Sequence, residues 1–84
     1  MKIAVILFQG VDEVDAIGPY EVFANAGQAG ADVAVSLLTL GGSDEITGSH
    51  GVRLRPHGTW DGDADLVVVP GGGWNDRAPE GAWA

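Results

Sequence analysis

Residues 3–8 read IAVILF, an unbroken apolar run that is rich in branched side chains. A strand with one face in water alternates apolar and polar residues, whereas this run does not alternate. It is therefore typical of a central parallel strand that is buried on both faces. Residues 32–40 (DVAVSLLTL) and residues 66–69 (LVVV) predict a second and a third strand of the same sheet.

A helix is expected between the first two strands, because apolar side chains recur there with the helical period. These positions are Ile17, Tyr20, Ala24 and Gly27, with Phe23 beside them. Asp12 is a suitable N-cap, and Gly27 with Gly30 supplies the stop. Strand, helix and strand then form a βαβ unit with parallel strands and a right-handed crossover.

Pro19 leaves two starting points for this helix. A start at Pro19 places proline at the first helical position, where it is well tolerated. A start near Asp12 places Pro19 inside the helix and frees the carbonyl of Asp15. We favour the longer helix, kinked at Pro19.

Residues 41–63 interrupt the alternation of strand and helix. Residues 46–47 and 52–55 are short extended pieces on either side of residues 48–51 (GSHG). This pattern indicates a small β-hairpin appended to the sheet. The predicted fold class is α/β.

The composition narrows the classes of function. A length of 84 residues allows at most one small domain. The net charge of −8 argues against nucleic acid and anionic membrane surfaces as partners, because both would repel it. No stretch approaches the ~20 apolar residues of a membrane span, and no signal-peptide cleavage pattern follows the apolar amino end. A cytoplasmic location is expected.

The chain contains no cysteine. This excludes a disulfide framework, a thiolate zinc site and a thiol nucleophile within these residues.

Three acidic residues, Asp12, Glu13 and Asp15, follow the first predicted strand. Open α/β sheets bind ligands beyond the carboxyl ends of their strands, so these side chains are candidates for a site. We interpret Asp12 and Glu13 as residues that complement the helix dipole and its free N–H groups. Asp15 has apolar neighbours on both sides and is expected to be partly enclosed, which suits a proton donor or acceptor. From the residues alone, this role and a helix-start role stay equally open.

Gly71, Gly72 and Gly73 directly follow the third predicted strand and Pro70. Without Cβ atoms, their backbone N–H groups can approach a bound phosphate or an oxyanion. An ordinary strand-to-helix turn has the same composition, and the chain lacks both phosphate-binding fingerprints.

No metal site is expected. Residues 61–65 (DGDAD) begin like a calcium loop, but Leu66 stands where that loop needs glycine and Gly72 where it needs glutamate. His50 and His57 lack a third ligand at metal spacing, and we interpret both as surface residues.

Two motifs together resemble the ThiJ/PfpI superfamily (the DJ-one family, with a glutamine-amidotransferase-like fold). The first is FxGxxxxDxxGPxEV at residues 8–22, and the second is LVVVPGG at residues 66–72. Their order and separation fit the family, and the resemblance covers the whole chain. The form of the first motif is most similar to the isonitrile hydratase branch and to the amidase-like domain of certain AraC-type regulators.

The resemblance implies a flavodoxin-like parallel-sheet sandwich that is longer than this chain and usually dimeric. Residues 1–84 then form the amino-terminal part of a single domain, with the βαβ start and the small hairpin, and the fold is incomplete.

The resemblance also implies a site that joins an acid after the first strand, amides of the Pro-Gly-Gly turn and a cysteine on a later elbow. Asp15 matches the acid, which hydrogen-bonds the cysteine sulfur and relays a proton. Gly72 matches the oxyanion-type amide, so Asp15 and Gly72 are the expected catalytic residues. Gly71 and Gly73 are expected to bind substrate. The cysteine elbow has no counterpart in this chain.

The resemblance favours a cysteine-dependent hydratase or hydrolase of small carbon–nitrogen compounds, similar to isonitrile hydratase, without a cofactor and homodimeric. One alternative is a ligand-sensing domain of a transcription regulator, which a downstream helix-turn-helix would identify. Another is a glyoxalase-like or deglycase-like stress protein, although that branch more often carries glutamate at the position of Asp15. A flavodoxin-like nucleotide binder ranks last, because the phosphate fingerprint is missing. The 84-residue chain alone is expected to be inactive.

Overall fold

The computed structural model describes residues 1–72, which form one helix and six strands. The helix, α1, spans Glu13–Gln28. The strands are β1 (Lys2–Leu7), β2 (Ala34–Thr39), β3 (Ile46–Thr47), β4 (Arg53–Leu54), β5 (Gly58–Thr59) and β6 (Leu66–Val68). In this part of the chain, no helix is long and apolar enough to cross a membrane.

The main sheet has the strand order β5-β2-β1-β6, and each neighbouring pair is parallel. β1 lies between two partners, with Ile3 opposite both Val35 and Leu66. Residues 3–7 are all buried, so the predicted central parallel strand is confirmed. Because the strands are parallel, the segments that follow β1 and β6 meet at one edge of the sheet.

The helix α1 begins as the longer of the two predicted alternatives. The Asp12 carboxylate accepts hydrogen bonds from the N–H groups of Val14 and Asp15, at 3.0 and 3.3 Å, and caps the first turn. Pro19 lies inside the helix. Just beyond the C-cap, Gly30 adopts φ +106°, a left-handed conformation that glycine accepts without strain.

The predicted hairpin is present, with β3 and β4 antiparallel and Ile46 opposite Leu54. It forms a two-stranded sheet of its own and is not a part of the main sheet. The sequence did not predict β5, which extends the main sheet beside β2. His57 lies at the surface, as expected, but it also secures this edge. Its N–H donates to the Leu37 carbonyl (2.7 Å), and its Nδ1 accepts from the Leu37 N–H (2.9 Å). A two-residue strand that begins with glycine has no apolar pattern by which to be recognised.

The core lies between the main sheet, α1 and the hairpin. Its buried members are Val5, Leu7, Phe8, Val11, Ala16, Leu37 and Ile46. Ile17 and Tyr20, from the predicted apolar face of the helix, pack against this cluster.

β6 is less buried than the central strand β1. Leu66 is 42% exposed and Val67 is 37% exposed. β6 forms one edge of the sheet made by the described residues, so one side of the strand has no neighbour there.

We expect the isolated 84-residue chain to be molten, aggregated or dependent on a partner. Ordering a backbone costs ~1–2 kcal/mol per residue, and a small sheet with an exposed apolar edge strand has little to offset this cost. Thermal unfolding followed by circular dichroism, with the mass in solution from light scattering, tests this expectation. A cooperative transition of a monomer would contradict it.

Candidate functional site

Residues 10–12, which follow β1, are held on one side by the hairpin. The Gly10 N–H donates to the Thr47 carbonyl at 2.9 Å, and the Ser49 N–H donates to the Val11 carbonyl at 2.8 Å. The loop between β3 and β4, residues 48–52, therefore lies directly beside the segment that leads into α1.

The glycine turn holds the same segment on its other side. The Asp12 N–H donates to the Gly71 carbonyl at 2.8 Å, and Val11 and Gly72 form an antiparallel bridge. Residues 10–12 thus lie between the hairpin loop and the turn after β6. The two motifs of the sequence meet at this point.

Asp15 lies against the glycine turn. A Cβ atom built on Gly71 would lie 2.8 Å from Asp15 Oδ2, so the carboxylate occupies the space beside the Gly71 α-carbon. The structure therefore brings together two of the residues selected from the sequence, one from each motif.

Asp15 is exposed among the described residues, and the expectation that it is partly enclosed is wrong for this part of the chain. Successive side chains of a helix point about 100° apart, so apolar sequence neighbours do not surround the residue between them. Ala16 is fully buried in the core, whereas Val14 is 75% exposed.

Gly72 can only be glycine, because the backbone of residues 10–11 approaches it closely. A Cβ atom there would lie 2.7 Å from the Gly10 carbonyl oxygen and 2.8 Å from the Val11 α-carbon. Within residues 1–72, no acceptor contacts the Gly72 N–H. Gly73, the other expected substrate-binding residue, lies outside the described residues.

The enclosed carboxylate of this region belongs to Glu13, which is 7% exposed. Its Oε2 accepts from the backbone N–H groups of His50 (2.9 Å) and Val52 (3.0 Å). Its Oε1 accepts from His50 Nδ1 (2.8 Å) and from the Ser49 hydroxyl (3.5 Å). The interpretation of Glu13 as a residue that only complements the helix dipole is therefore wrong. Its partners lie far along the chain, and no local signal reveals them.

The sequence profile of the DJ-1/PfpI family matches residues 1–82 of this chain. The chain belongs to the DJ-1/PfpI family. This confirms the family inferred from the two motifs. A search of curated protein sequences gave no match.

Two solved structures show the same fold as this DJ-1/PfpI chain. Drosophila melanogaster DJ-1beta is 28% identical with a TM-score of 0.73, and the match covers 84% of this chain and 38% of that one. The VC2308 protein is 24% identical with a TM-score of 0.71, and the match covers 84% of this chain and 36% of that one. The α/β, flavodoxin-like fold is confirmed, and the chain spans well under half the length of these structures.

At the start of α1 in this DJ-1/PfpI chain, Glu13 and His50 shift each other's pKa. Burial alone would raise the pKa of Glu13. Hydrogen bonds from the His50 ring, from the backbone of Glu13 itself, and from the N–H groups of Val52 and His50 outweigh this effect. They lower the pKa of Glu13 to about 2. The hydrogen bond to Glu13, together with the charges of Glu13 and Asp12, raises the pKa of His50. The Glu13 carboxylate and the His50 ring thus form a hydrogen-bonded pair between α1 and the hairpin loop.

Asp12, Glu13 and His50 are the described residues best placed to hold a cation. One ligand atom from each lies within 4.8 Å of the others. His57 is not part of this group, and the two acids beside His50 come from a distant segment of the chain. His50 lies at the surface, as expected. Both Glu13 oxygens already accept hydrogen bonds, however, and the Asp12 carboxylate caps α1. The cluster is thus internally satisfied without a metal ion.

Proposed function

We propose that this chain is the amino-terminal part of a cysteine-dependent hydratase or hydrolase of small carbon–nitrogen compounds, with isonitriles as the favoured substrates. The observation that carries the proposal is the position of the Asp15 carboxylate, which fills the space that a side chain at Gly71 would need. It places an acid beside a turn of backbone amides, at the edge of the sheet where α/β proteins bind ligands.

Asp15 would move the proton in this reaction. A thiolate from the remainder of the domain attacks the isonitrile carbon, while Asp15 delivers a proton to the same carbon and a thioimidate forms. Water then adds to the thioimidate carbon, with one of its protons going to the nitrogen and the other back to Asp15, and the carbon–sulfur bond breaks to release the thiolate. The product is an N-substituted formamide, and the thiolate and protonated Asp15 are regenerated. Isonitrile and water are consumed in equal amounts, with no oxidant or cofactor.

Gly72 would stabilise charge during the water step. A tetrahedral intermediate carries developing negative charge on oxygen, and a fixed backbone N–H can donate a hydrogen bond to that oxygen without reorganising. The Gly72 N–H has no acceptor among residues 1–72, and the close approach of residues 10–11 fixes its position. Gly71 and Gly73 would shape the space for the substrate.

The test is steady-state hydration of an aryl isonitrile by the complete protein, comparing Gly71→Ala with Gly58→Ala. The new methyl at Gly71 displaces the Asp15 carboxylate, and we expect turnover to fall by about 10²-fold, the usual cost of a misplaced reacting group. The control adds its methyl 3.8 Å from a Leu38 side-chain carbon, an ordinary contact far from the turn.

The alternatives make different predictions in this assay. Turnover of methylglyoxal but not of isonitriles would refute the proposal and favour the glyoxalase-like function. Binding of small ligands with no turnover would refute it in favour of a sensor. Equal rates for the two glycine variants would remove the contact between Asp15 and Gly71 from the mechanism.

A further inference from the structure

The loop of residues 48–52 is hydrogen-bonded to the carboxylate of Glu13. Two backbone N–H groups, a hydroxyl and an imidazole of this loop donate to its two oxygens, at 2.8 to 3.5 Å. A short loop with its N–H groups turned inward needs an acceptor, because a buried donor without a partner is destabilising. Glu13 is that acceptor.

Gly48 shows how tightly the carboxylate is enclosed. This glycine is buried, and a Cβ atom built on it would fall on the Glu13 carboxyl group. The carboxylate cannot move aside without losing its hydrogen bonds to the loop.

The same loop also supports the candidate site. Its Ser49 N–H donates to the Val11 carbonyl, and Val11 is bridged to Gly72 on its other side. The neighbouring Asp12 N–H donates to the Gly71 carbonyl. Contacts therefore continue from Glu13 through the loop and residues 10–12 to the glycine turn.

The helix directs the side chains of Glu13 and Asp15 to different sides. Residues two positions apart in an α-helix point about 200° apart around the axis. Glu13 consequently faces the hairpin loop while Asp15 faces Gly71. One carboxylate is free to meet a substrate, whereas the other is occupied by the protein.

We propose that Glu13 is a positioning residue: by fixing the loop of residues 48–52 it holds residues 10–12 in the register that brings Asp15 and Gly72 to one site. The consequence for turnover rests on the proposed function, whereas the consequence for the backbone does not. If Glu13 has only a local role, it stabilises the loop of residues 48–52, and its removal leaves the glycine turn unaffected.

Amide hydrogen exchange in the complete protein separates these two roles. The variants are Glu13→Ala, Gly48→Ala and Glu13→Gln, with Gly58→Ala as the matched control. Glu13→Ala removes the acceptor, and Gly48→Ala displaces it at unchanged charge. Glu13→Gln keeps an oxygen for the N–H groups of His50 and Val52. If Glu13→Ala does not fold, Gly48→Ala and Glu13→Gln carry the comparison.

The informative amides are those of Ser49 and Asp12, neither of which bonds to Glu13. We expect their exchange to accelerate about 10-fold or more in Glu13→Ala and Gly48→Ala, and to stay near the unmodified rate in Glu13→Gln and in the control. Acceleration restricted to the His50 and Val52 amides would overturn the proposal and leave Glu13 a local loop clamp.

Turnover of an aryl isonitrile provides the second readout. We expect kcat to fall by about 10²-fold in Gly48→Ala and to stay near the unmodified value in Glu13→Gln. The reason is that the position of the acceptor oxygen at residue 13 is required and its charge is not. If the unmodified protein hydrates no isonitrile, the proposed function fails while the exchange result still decides the role of Glu13. A Gly48→Ala variant with faster Asp12 exchange but normal kcat would overturn the positioning role.

Discussion

Replacing Asp15 with asparagine in the complete protein is expected to lower isonitrile turnover by about 10²–10⁴-fold, the usual worth of general acid–base catalysis. Asparagine keeps the size of the side chain and its hydrogen-bonding capacity but removes the proton that the mechanism transfers. The melting temperature should change little, because Asp15 is exposed among the described residues and no buried partner is lost. Steady-state kinetics and a melting curve on this one variant measure both effects.

Glu21→Gln is a matched control for this prediction, since Glu21 is an exposed acid of the same helix. The competing role of Asp15 is that of a helix-start residue that complements the dipole. In that case Asp15→Asn would cost less than about 1 kcal/mol of stability and leave the rate unchanged. An unchanged rate would remove Asp15 from the site.

The 84-residue chain by itself is expected to show no hydration of isonitriles, glyoxals or amides above background. It supplies an acid and a backbone amide but has no cysteine, and the proposed reaction begins with attack by a thiolate. Without a nucleophile the first step does not occur, so the backbone amide has no intermediate to stabilise. Turnover by the purified chain at high protein concentration, against a buffer blank, is the measurement.

The Asp15→Asn form of the isolated chain distinguishes true activity from a contaminant. Turnover by residues 1–84 that this substitution abolishes would show that the chain carries its own nucleophile or needs none. That result would overturn the requirement for a cysteine. Turnover that persists in the variant would come from another protein in the sample.

The central fold was predictable because its signals are local. The unbroken apolar run of residues 3–8 predicted β1, and the side chain of Asp12 predicted where α1 begins. That Asp15 and the glycine turn lie close together was implied by the family resemblance, and it agrees with the rule that parallel strands place their carboxyl ends at one edge of the sheet. These features depend on short segments or on the direction of strands.

The features that escaped prediction depend on contacts between distant segments. Glu13 is buried because a loop more than thirty residues away encloses it, and its own neighbours in sequence give no indication of this. β5 exists because His57 ties it to Leu37 of β2, although its own two residues have no strand pattern. The exposure of Asp15 was missed for a different, local reason, because its apolar neighbours in the helix face other directions.

The most direct test of the account is the mass of the complete protein after rapid acid quenching during turnover of an isonitrile. We expect a fraction of the protein to gain the full mass of the substrate, on a cysteine that lies outside residues 1–84, because the thioimidate forms by addition without a leaving group. This fraction should fall when Asp15 is replaced by asparagine, since the proton needed to form the adduct is missing. Full turnover with no adduct, or an adduct on a residue of this chain, would contradict the account.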